Sequence, residues 1–296
     1  MPKPIRTVGI ATAAHKPQVV PTAGALCEAL RAAGRPILLG PCAEDVCSAA
    51  CVPPDEVVSL AKLANTDLVI SLGGDGTLLA VAGHAGPKGT PLLGVDLGSF
   101  GFLAAEDFQT VLDQLEHILQ GDYETDRRLM VAAQVVRNGR TVSQHCGLNE
   151  AVIGKTDVRR LVRLLTKVDG EHMATYPADG LIISTPTGST AYGLSAGGPI
   201  VSPAVESLII TPICSHTLYS RPLVVEPSAI IEVAVSSRGG PAVGISLALD
   251  GQETVELAPG DSVRVFRASF DARLVRVSAG SFYERLRTKL HWDAER

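Results

Sequence analysis

The sequence predicts an α/β half followed by an all-β, sandwich-like half, with a helical tail closing the chain. Three observations carry this prediction. Short apolar runs alternate with helical stretches over the first hundred residues; Asn-Gly and Asp-Gly pairs then punctuate a series of alternating strands; and Phe282 to Leu290 reads as a final helix.

In the first half, Val8 to Thr12, Pro36 to Leu39, Leu68 to Leu72 and Leu92 to Val95 are strand candidates. Pro21 to Ala33, Asp55 to Ala64 and Thr77 to Gly83 are helix candidates between them, and a further helix is expected over about Glu106 to Leu119, ending at Gly121. Strands alternating with helices imply parallel pairing through helical crossovers, so this half is Rossmann-like. Neither the dinucleotide fingerprint Gly-x-Gly-x-x-Gly nor a Walker loop occurs, which excludes the phosphate chemistry of those two classes. The boundary is expected near Asp122 to Asp126, giving segments 1–122, 123–280 and 281–296. In the second half, Asn138-Gly139 joins Met130 to Val136 with Thr141 to Gln144. Asp169-Gly170 follows Leu161 to Val168, and Asp250-Gly251 follows Ile245 to Leu249. Both pairs favour the positive φ angles of two-residue hairpins.

The chain has 296 residues, enough for about two domains at roughly 100–200 residues each. Lys and Arg number 26 against 31 Asp and Glu, a net charge of −5, which argues against a nucleic-acid partner. Apolar residues make up 46%, yet no run approaches the ~20 apolar residues that span a bilayer. Met1 to Arg6 leads straight into a strand-like run without a signal peptide, so a cytoplasmic protein without membrane contact is expected. Cysteines stand at 27, 42, 47, 51, 146 and 214 without a Cys-x-x-Cys pair. They read as small buried or half-buried thiols of a reducing compartment.

Two segments carry chemistry. Leu68 to Leu72 runs into Gly73-Gly74-Asp75-Gly76-Thr77, and a helix follows. A glycine turn between strand and helix lets backbone N–H groups approach phosphate oxygens, and the helix N-terminus adds its positive dipole end. Asp75 puts one carboxylate into this cradle; the blander reading is a turn aspartate of an Asp-Gly pair. The second segment, Leu181-Ile182-Ile183-Ser184-Thr185-Pro186-Thr187-Gly188-Ser189-Thr190-Ala191-Tyr192, groups four hydroxyls, those of Thr185, Thr187, Ser189 and Thr190, around a glycine after an apolar strand. It offers donors to a polyhydroxylated, phosphorylated ligand, or is an ordinary Ser/Thr-rich loop.

Taken together, these segments resemble the NAD kinase family, and the likeness covers most of the chain. The pattern is met at Gly73 to Thr77, at Leu148-Asn149-Glu150, at Asp179 to Tyr192, and at His216-Thr217-Leu218 with Arg221-Pro222. The glycine-aspartate loop is shared with phosphofructokinases and with lipid kinases, whereas the long block is specific. The resemblance implies transfer of the γ-phosphoryl group of ATP, or of another triphosphate or polyphosphate, to the 2′-hydroxyl of the adenosine ribose of NAD. Asp75 is then the general base, and Asp75→Asn is expected to keep the loop's shape while removing the proton acceptor. Gly73, Gly74, Gly76 and Thr77 would hold the phosphate donor. Asp75, Gly76, Asn149, Glu150, Arg160, Asp179, Thr190, Ala191, Tyr192, Gly193, Leu194, Ser195 and Gln252 would contact the dinucleotide. For Arg160 the alternative is a solvated arginine beside Arg159 and Arg163; Gln252 could simply follow a hairpin turn.

The resemblance further implies Mg²⁺ or another divalent cation carried mainly by the triphosphate, a homodimer or homotetramer, and a tail that packs on the first domain. Only 19% of residues are charged, in keeping with an oligomer. Asp96 stands where the family usually has asparagine, and a carboxylate there repels phosphates unless a cation intervenes. Phe100 replaces a commoner leucine, and Pro177 stands where some bacterial relatives have arginine, leaving the choice between NAD and NADH open. His216 is expected to be a hydrogen-bonded structural histidine and Trp292 a packing anchor for the tail. Two other classes compete: a lipid or sugar kinase sharing the aspartate loop, and a non-catalytic dinucleotide-binding regulator. The first lacks a visible apolar or sugar-phosphate site in place of the long block; the intact Asp75 counts against the second.

Overall fold

The apolar runs of the first half become the strands of a parallel sheet. In the computed structural model, which describes residues 4–13, 16–42, 44–98, 101–104, 106–156, 162–236 and 244–292, the chain divides into two units. One comprises residues 1–127 and 271–296, the other residues 128–270.

In the first unit, β1 (Val8–Thr12), β2 (Ile37–Leu39), β3 (Leu68–Gly73) and β4 (Pro91–Asp96) pair in parallel in the order β2-β1-β3-β4. Helix α1 (Val19–Ala32) buries Val19, Thr22, Ala23, Leu26, Cys27 and Leu30, the three- and four-residue spacing of a core-facing stripe. Its side chains join Ile10, Leu39, Ile70 and Val95 in one core.

Two helices differ from expectation. Asp55 to Ala64 is a 3₁₀ turn, Pro54–Glu56, and a separate short helix, α3 (Leu60–Leu63), after α2 (Glu44–Ala49). Between them Val57 bridges to Leu39, Val58 N–H donates to the Leu39 carbonyl, and Ser59 caps a new helix, so β-sheet pairing interrupts the helical pattern. After α4 (Asp75–Ala85), the stretch from Glu106 splits at Gln114 into α5 (Phe108–Asp113) and α6 (Leu115–Gln120). Glu106 itself stays extended beside Val95, and Asp107 caps α5 by accepting from Thr110 N–H.

The second unit is built from antiparallel strands. The strands β5 (Glu124–Arg137) and β6 (Arg140–Gly147) form a hairpin, as do β8 (Val162–Val168) and β9 (Glu171–Ala178). A second sheet, which includes β7 (Glu150–Lys155), takes in β10 (Gly180–Ser184), β11 (Leu208–Ile213) and β12 (Leu223–Val225). After α7 (Tyr192–Ser195), which lies between β10 and β11, and β13 (Ile231–Ser236) come β14 (Ile245–Leu249), β15 (Glu253–Glu256) and β16 (Ser262–Arg276). The second sheet runs in the order β12-β11-β10-β7-β14-β15, while β13 pairs with both β8 and β16. Val131, Leu164, Ile231 and Val263 from one sheet share an apolar core with Ile153, Ile183, Ile210 and Leu247 from the other, which is the sandwich the alternation predicts. The three hairpin pairs have positive φ at both positions: 51° and 74° at Asn138-Gly139, 51° and 82° at Asp169-Gly170, 51° and 67° at Asp250-Gly251.

The tail forms α8 (Phe282–Leu290) within the first unit, started by a capping box in which Ser281 and Glu284 exchange side-chain to backbone bonds. Trp292 is 61% exposed, so it does not anchor the tail; Leu286 and Arg285 are the buried positions. Cys42 and Cys47, expected as thiols, are paired as a disulfide, while Cys27 is a buried thiol.

Candidate active site

The glycine-aspartate segment folds as a buried strand that ends at Gly73 and a helix that begins at Asp75, so Asp75 belongs to the first turn of α4. The helix start has no side-chain cap, and N–H groups of a first helical turn lack intrahelical partners. Gly76 is exposed, with open space where a Cβ would stand. These are the features a phosphate cradle needs. Gly73 and Gly74 precede the helix start, and Thr77 is half-buried, its N–H donating to the Gly74 carbonyl at 3.1 Å.

Asp75 does more than stand in a turn. Its Oδ1 accepts from Leu103 N–H at 3.0 Å and Ala104 N–H at 2.8 Å, and its Oδ2 accepts from Phe102 N–H at 2.9 Å. A carboxylate has about four lone-pair sites, so one remains on Oδ2 for a proton or a ligand. A Cβ on Gly101 would lie 2.1 Å from Asp75 Oδ1, so only glycine admits this approach. The expectation that Asp75→Asn preserves the loop is therefore corrected, because the Nδ2 group would meet the Phe102 N–H donor to donor. Asp96, opposite Gly73 in the β3–β4 register, is partly buried; burial raises its carboxyl above the usual range, against the lowering effect of Lys16.

In the second unit the Leu148-Asn149-Glu150 turn leads into β7, whose first residue is Glu150. The sequence reading missed what holds it: Asp250 accepts Leu148 N–H at 2.6 Å on Oδ2, and Asn149 N–H at 2.8 Å and Glu150 N–H at 3.0 Å on Oδ1. Its Asp-Gly hairpin signal was visible, but not the partners a hundred residues away. The side chains of Asn149 and Glu150 are buried, and among the described residues Asn149 Oδ1 and Glu150 Oε2 have no hydrogen-bond partner. Burial, and secondarily the Asp250 charge, push the Glu150 carboxyl up to about 8, so it is neutral at pH 7. Two adjacent orphan polar groups, one of them a neutral carboxyl, suit a ligand rich in hydroxyls.

The hydroxyl-rich block is differently employed than expected. Thr185 Oγ1 donates to the Leu148 carbonyl at 2.6 Å and accepts from Gly188 N–H at 3.1 Å; Ser189 Oγ bonds to the carbonyls of Pro186 and Val201 and to Val201 N–H. Thr190 Oγ1 donates to the Thr187 carbonyl at 3.2 Å, and Thr187 Oγ1 accepts from the buried Arg128 at 3.4 Å. Thr185 thus ties the block to the Asn149 turn, while Ser189 and Thr190 donate to nearby carbonyls rather than facing outward as free donors. Ala191 follows, and α7 then presents Tyr192, 45% exposed, with Gly193 buried, Leu194 half-buried and Ser195 exposed.

Asp179 joins β9 to β10 and is ion-paired with Lys155 at 2.5 Å. Gln252 is exposed on the β14–β15 turn, its N–H closing the turn onto Leu249 O at 2.8 Å. His216, expected as a hydrogen-bonded structural histidine, is exposed, and its backbone N–H donates to the Pro177 carbonyl at 2.8 Å. Arg160, with Arg159, lies outside the described residues. Within the first unit the structure brings together Gly73, Gly74, Asp75, Gly76 and Thr77. Within the second it brings together Asn149, Glu150 and the block from Thr185 onward.

Comparison with known proteins accords with this geometry. Family models described as the ATP-NAD kinase N-terminal domain and the ATP-NAD kinase C-terminal domain match residues 11–123 and 148–277. The NAD kinase of Geotalea daltonii is 41% identical over 289 residues, covering 97% of this chain and 99% of the relative. That of Geobacter metallireducens is 46% identical over 241 residues, 81% of this chain and 82% of its own. Among solved structures, yeast NADH kinase complexed with NADH superposes with a TM-score of 0.87 at 24% identity, covering 99% of this chain and 89% of that one. An NAD kinase from Archaeoglobus fulgidus in complex with ATP gives 0.72 at 22% identity, covering 96% and 97%. At these identities the two structures speak for the fold. The chain belongs to the NAD kinase family.

Proposed function

We propose that this protein transfers the γ-phosphoryl group of ATP to the 2′-hydroxyl of the adenosine ribose of NAD, giving NADP and ADP. The observation that carries this reading is the pair of buried polar atoms Asn149 Oδ1 and Glu150 Oε2, unpartnered among the described residues and held by Asp250 on a turn of matching family pattern. A ribose offers hydroxyl donors to Asn149, and the neutral Glu150 carboxyl can donate to a ribose oxygen without repelling the neighbouring pyrophosphate.

Asp75 receives the 2′-hydroxyl proton on the free lone pair of Oδ2 as the ribose oxygen bonds to the γ-phosphorus and the bond from that phosphorus to the β–γ bridging oxygen breaks. The loop 73–77 and the start of α4 bind the triphosphate through backbone N–H groups. A divalent cation such as Mg²⁺ neutralises phosphate charge when bound. Among the described residues no group of three or more His, Cys, Asp or Glu side chains stands together, and a hard cation riding on phosphates needs only one or two protein oxygens.

The enzyme acts as a homodimer or homotetramer in the cytoplasm. Leu218 and Tyr219, 86% and 88% exposed, support the association, and no described helix is long and apolar enough to cross a membrane. A light-scattering mass of one chain at micromolar concentration would refute the oligomer, and recovery of the native protein in a membrane fraction would refute the location. The activity is tested by NADP formation from NAD, ATP and Mg²⁺, with and without chelator. Absence of product with ATP, other triphosphates and polyphosphate alike would favour a dinucleotide-binding regulator instead.

A further inference from the structure

The strand order β2-β1-β3-β4 reverses direction between β1 and β3, and an open parallel sheet takes ligands in the crevice outside the carboxyl ends of its strands at such a point. Here that crevice is a cavity of about 430 Å³, lined on the β1 side by Thr12, Ala13 and Lys16 and on the β3 side by Gly74, Gly76 and Thr77. Lys16 is the cation among these residues. Its Nζ donates to the Gly73 carbonyl at 3.0 Å, 3.3 Å from where a Cβ on Gly74 would stand and 3.2 Å from one on Gly98. The ammonium therefore lies against the glycine backbone of the phosphate loop, with one of its three donors engaged by Gly73 and the other two without a hydrogen-bond partner among the described residues.

The same place carries an excess of negative charge. Asp96 lies opposite Gly73 at the end of β4, and its Oδ1 is buried without a partner among the described residues. Lys16 is the foremost charge acting favourably on Asp96; Asp75 acts against it, and Lys289 of the tail helix helps. A triphosphate brought to this loop meets two carboxylates, and like charges at short range oppose binding.

We propose that Lys16 binds the phosphates of the donor triphosphate and that its charge offsets Asp96, which makes the loop usable with a carboxylate at that position. This rests on the phosphotransfer reading above. Lys16 meets the phosphates as a compact charge with rotatable donors, the manner in which lysine recognises phosphate.

Direct ATP binding by calorimetry, with Mg²⁺ present, and KM for ATP and NAD should be measured on Lys16→Met and on Lys16→Met/Asp96→Asn. Loss of a charge-assisted hydrogen bond should weaken ATP binding by roughly ten- to a hundredfold while KM for NAD stays put. Adding Asp96→Asn should recover a large part of the loss, which a merely structural lysine would not show. Unchanged ATP affinity in a folded Lys16→Met protein would overturn the phosphate contact. A defect undiminished by Asp96→Asn would overturn the charge compensation. Should Lys16→Met not fold, Lys16→Gln supplies the same comparison. Failure of the wild-type protein to make NADP would sink the phosphotransfer reading instead, and the binding measurement still decides on Lys16.

Discussion

Asp75→Asn tests the chemistry and the architecture at once, and the two effects differ in size. In the folded protein three N–H groups converge on the carboxylate. An asparagine oxygen can keep the bonds from Leu103 and Ala104, but Nδ2 then faces Phe102 N–H. Loss of one charge-assisted bond, with a donor left unmatched, costs about 1.5–3 kcal/mol of stability, which is several degrees in melting temperature for a chain of this size. Loss of a general base lowers turnover by about 10²–10⁴-fold, roughly 3–5 kcal/mol in barrier. The assay is kcat beside direct NAD binding and thermal melting on the same protein: kcat should collapse, NAD affinity should change little, and melting should fall modestly. Gly101→Ala is the control, since its Cβ would displace the carboxylate while leaving the base chemically intact. Wild-type turnover in Asp75→Asn would refute the base, whereas Gly101→Ala, which keeps the carboxylate but moves it, reports how far turnover depends on its placement.

Other expectations follow from the second unit. Glu150 has its pKa raised from 4.5 to about 8, so the native state holds its proton where the unfolded chain has released it; the stabilisation present below pH 4.5 is lost as pH rises toward and through 8. Glu150→Gln should therefore flatten the melting temperature against pH between about 5 and 8, and an unchanged pH slope would contradict the buried neutral carboxyl. Asp250→Ala leaves three N–H groups of the Asn149 turn without their acceptor, so KM for NAD should rise at least tenfold with KM for ATP little altered. Equal changes in both constants would show general unfolding instead. Asp250→Asn removes a charge that raises Glu150, so the titration of Glu150, followed by NMR or difference spectroscopy, should move to lower pH.

What the sequence made legible was local. The strand expected over Leu161 to Val168, the helical stripe of α1 and the two-residue turns all depend on neighbours a few positions apart, and the structure has β8, α1 and the turns there. Asp55 to Ala64 misled because its helical spacing competes with pairing of Val57 to Leu39, a contact from another strand. The hydroxyls of residues 185–190 misled in part for the same reason, since their composition is that of a ligand-facing loop while Thr185 and Ser189 bond to the distant Leu148 and Val201 carbonyls. Lys16 passed unnoticed because a lone lysine after a strand has no pattern until the β1–β3 crevice places it beside Gly73.

The two anchoring aspartates have a common construction that composition alone does not display. Asp75 gathers the N–H groups of Phe102, Leu103 and Ala104; Asp250 gathers those of Leu148, Asn149 and Glu150. Each triplet is preceded by a glycine whose Cβ would strike the carboxylate, at 2.1 Å for Gly101 and 2.7 Å for Gly147. A bare glycine lets the carboxylate come close enough to collect three consecutive donors, and a carboxylate so engaged fixes a turn that would otherwise have unpaired N–H groups. The bonds span 27 to 29 residues in one case and 100 to 102 in the other, so each loop is ordered only once its unit has folded. The segments proposed to handle phosphate and ribose are thereby preorganised, and their geometry depends on long-range folding rather than on the propensity of the loops themselves.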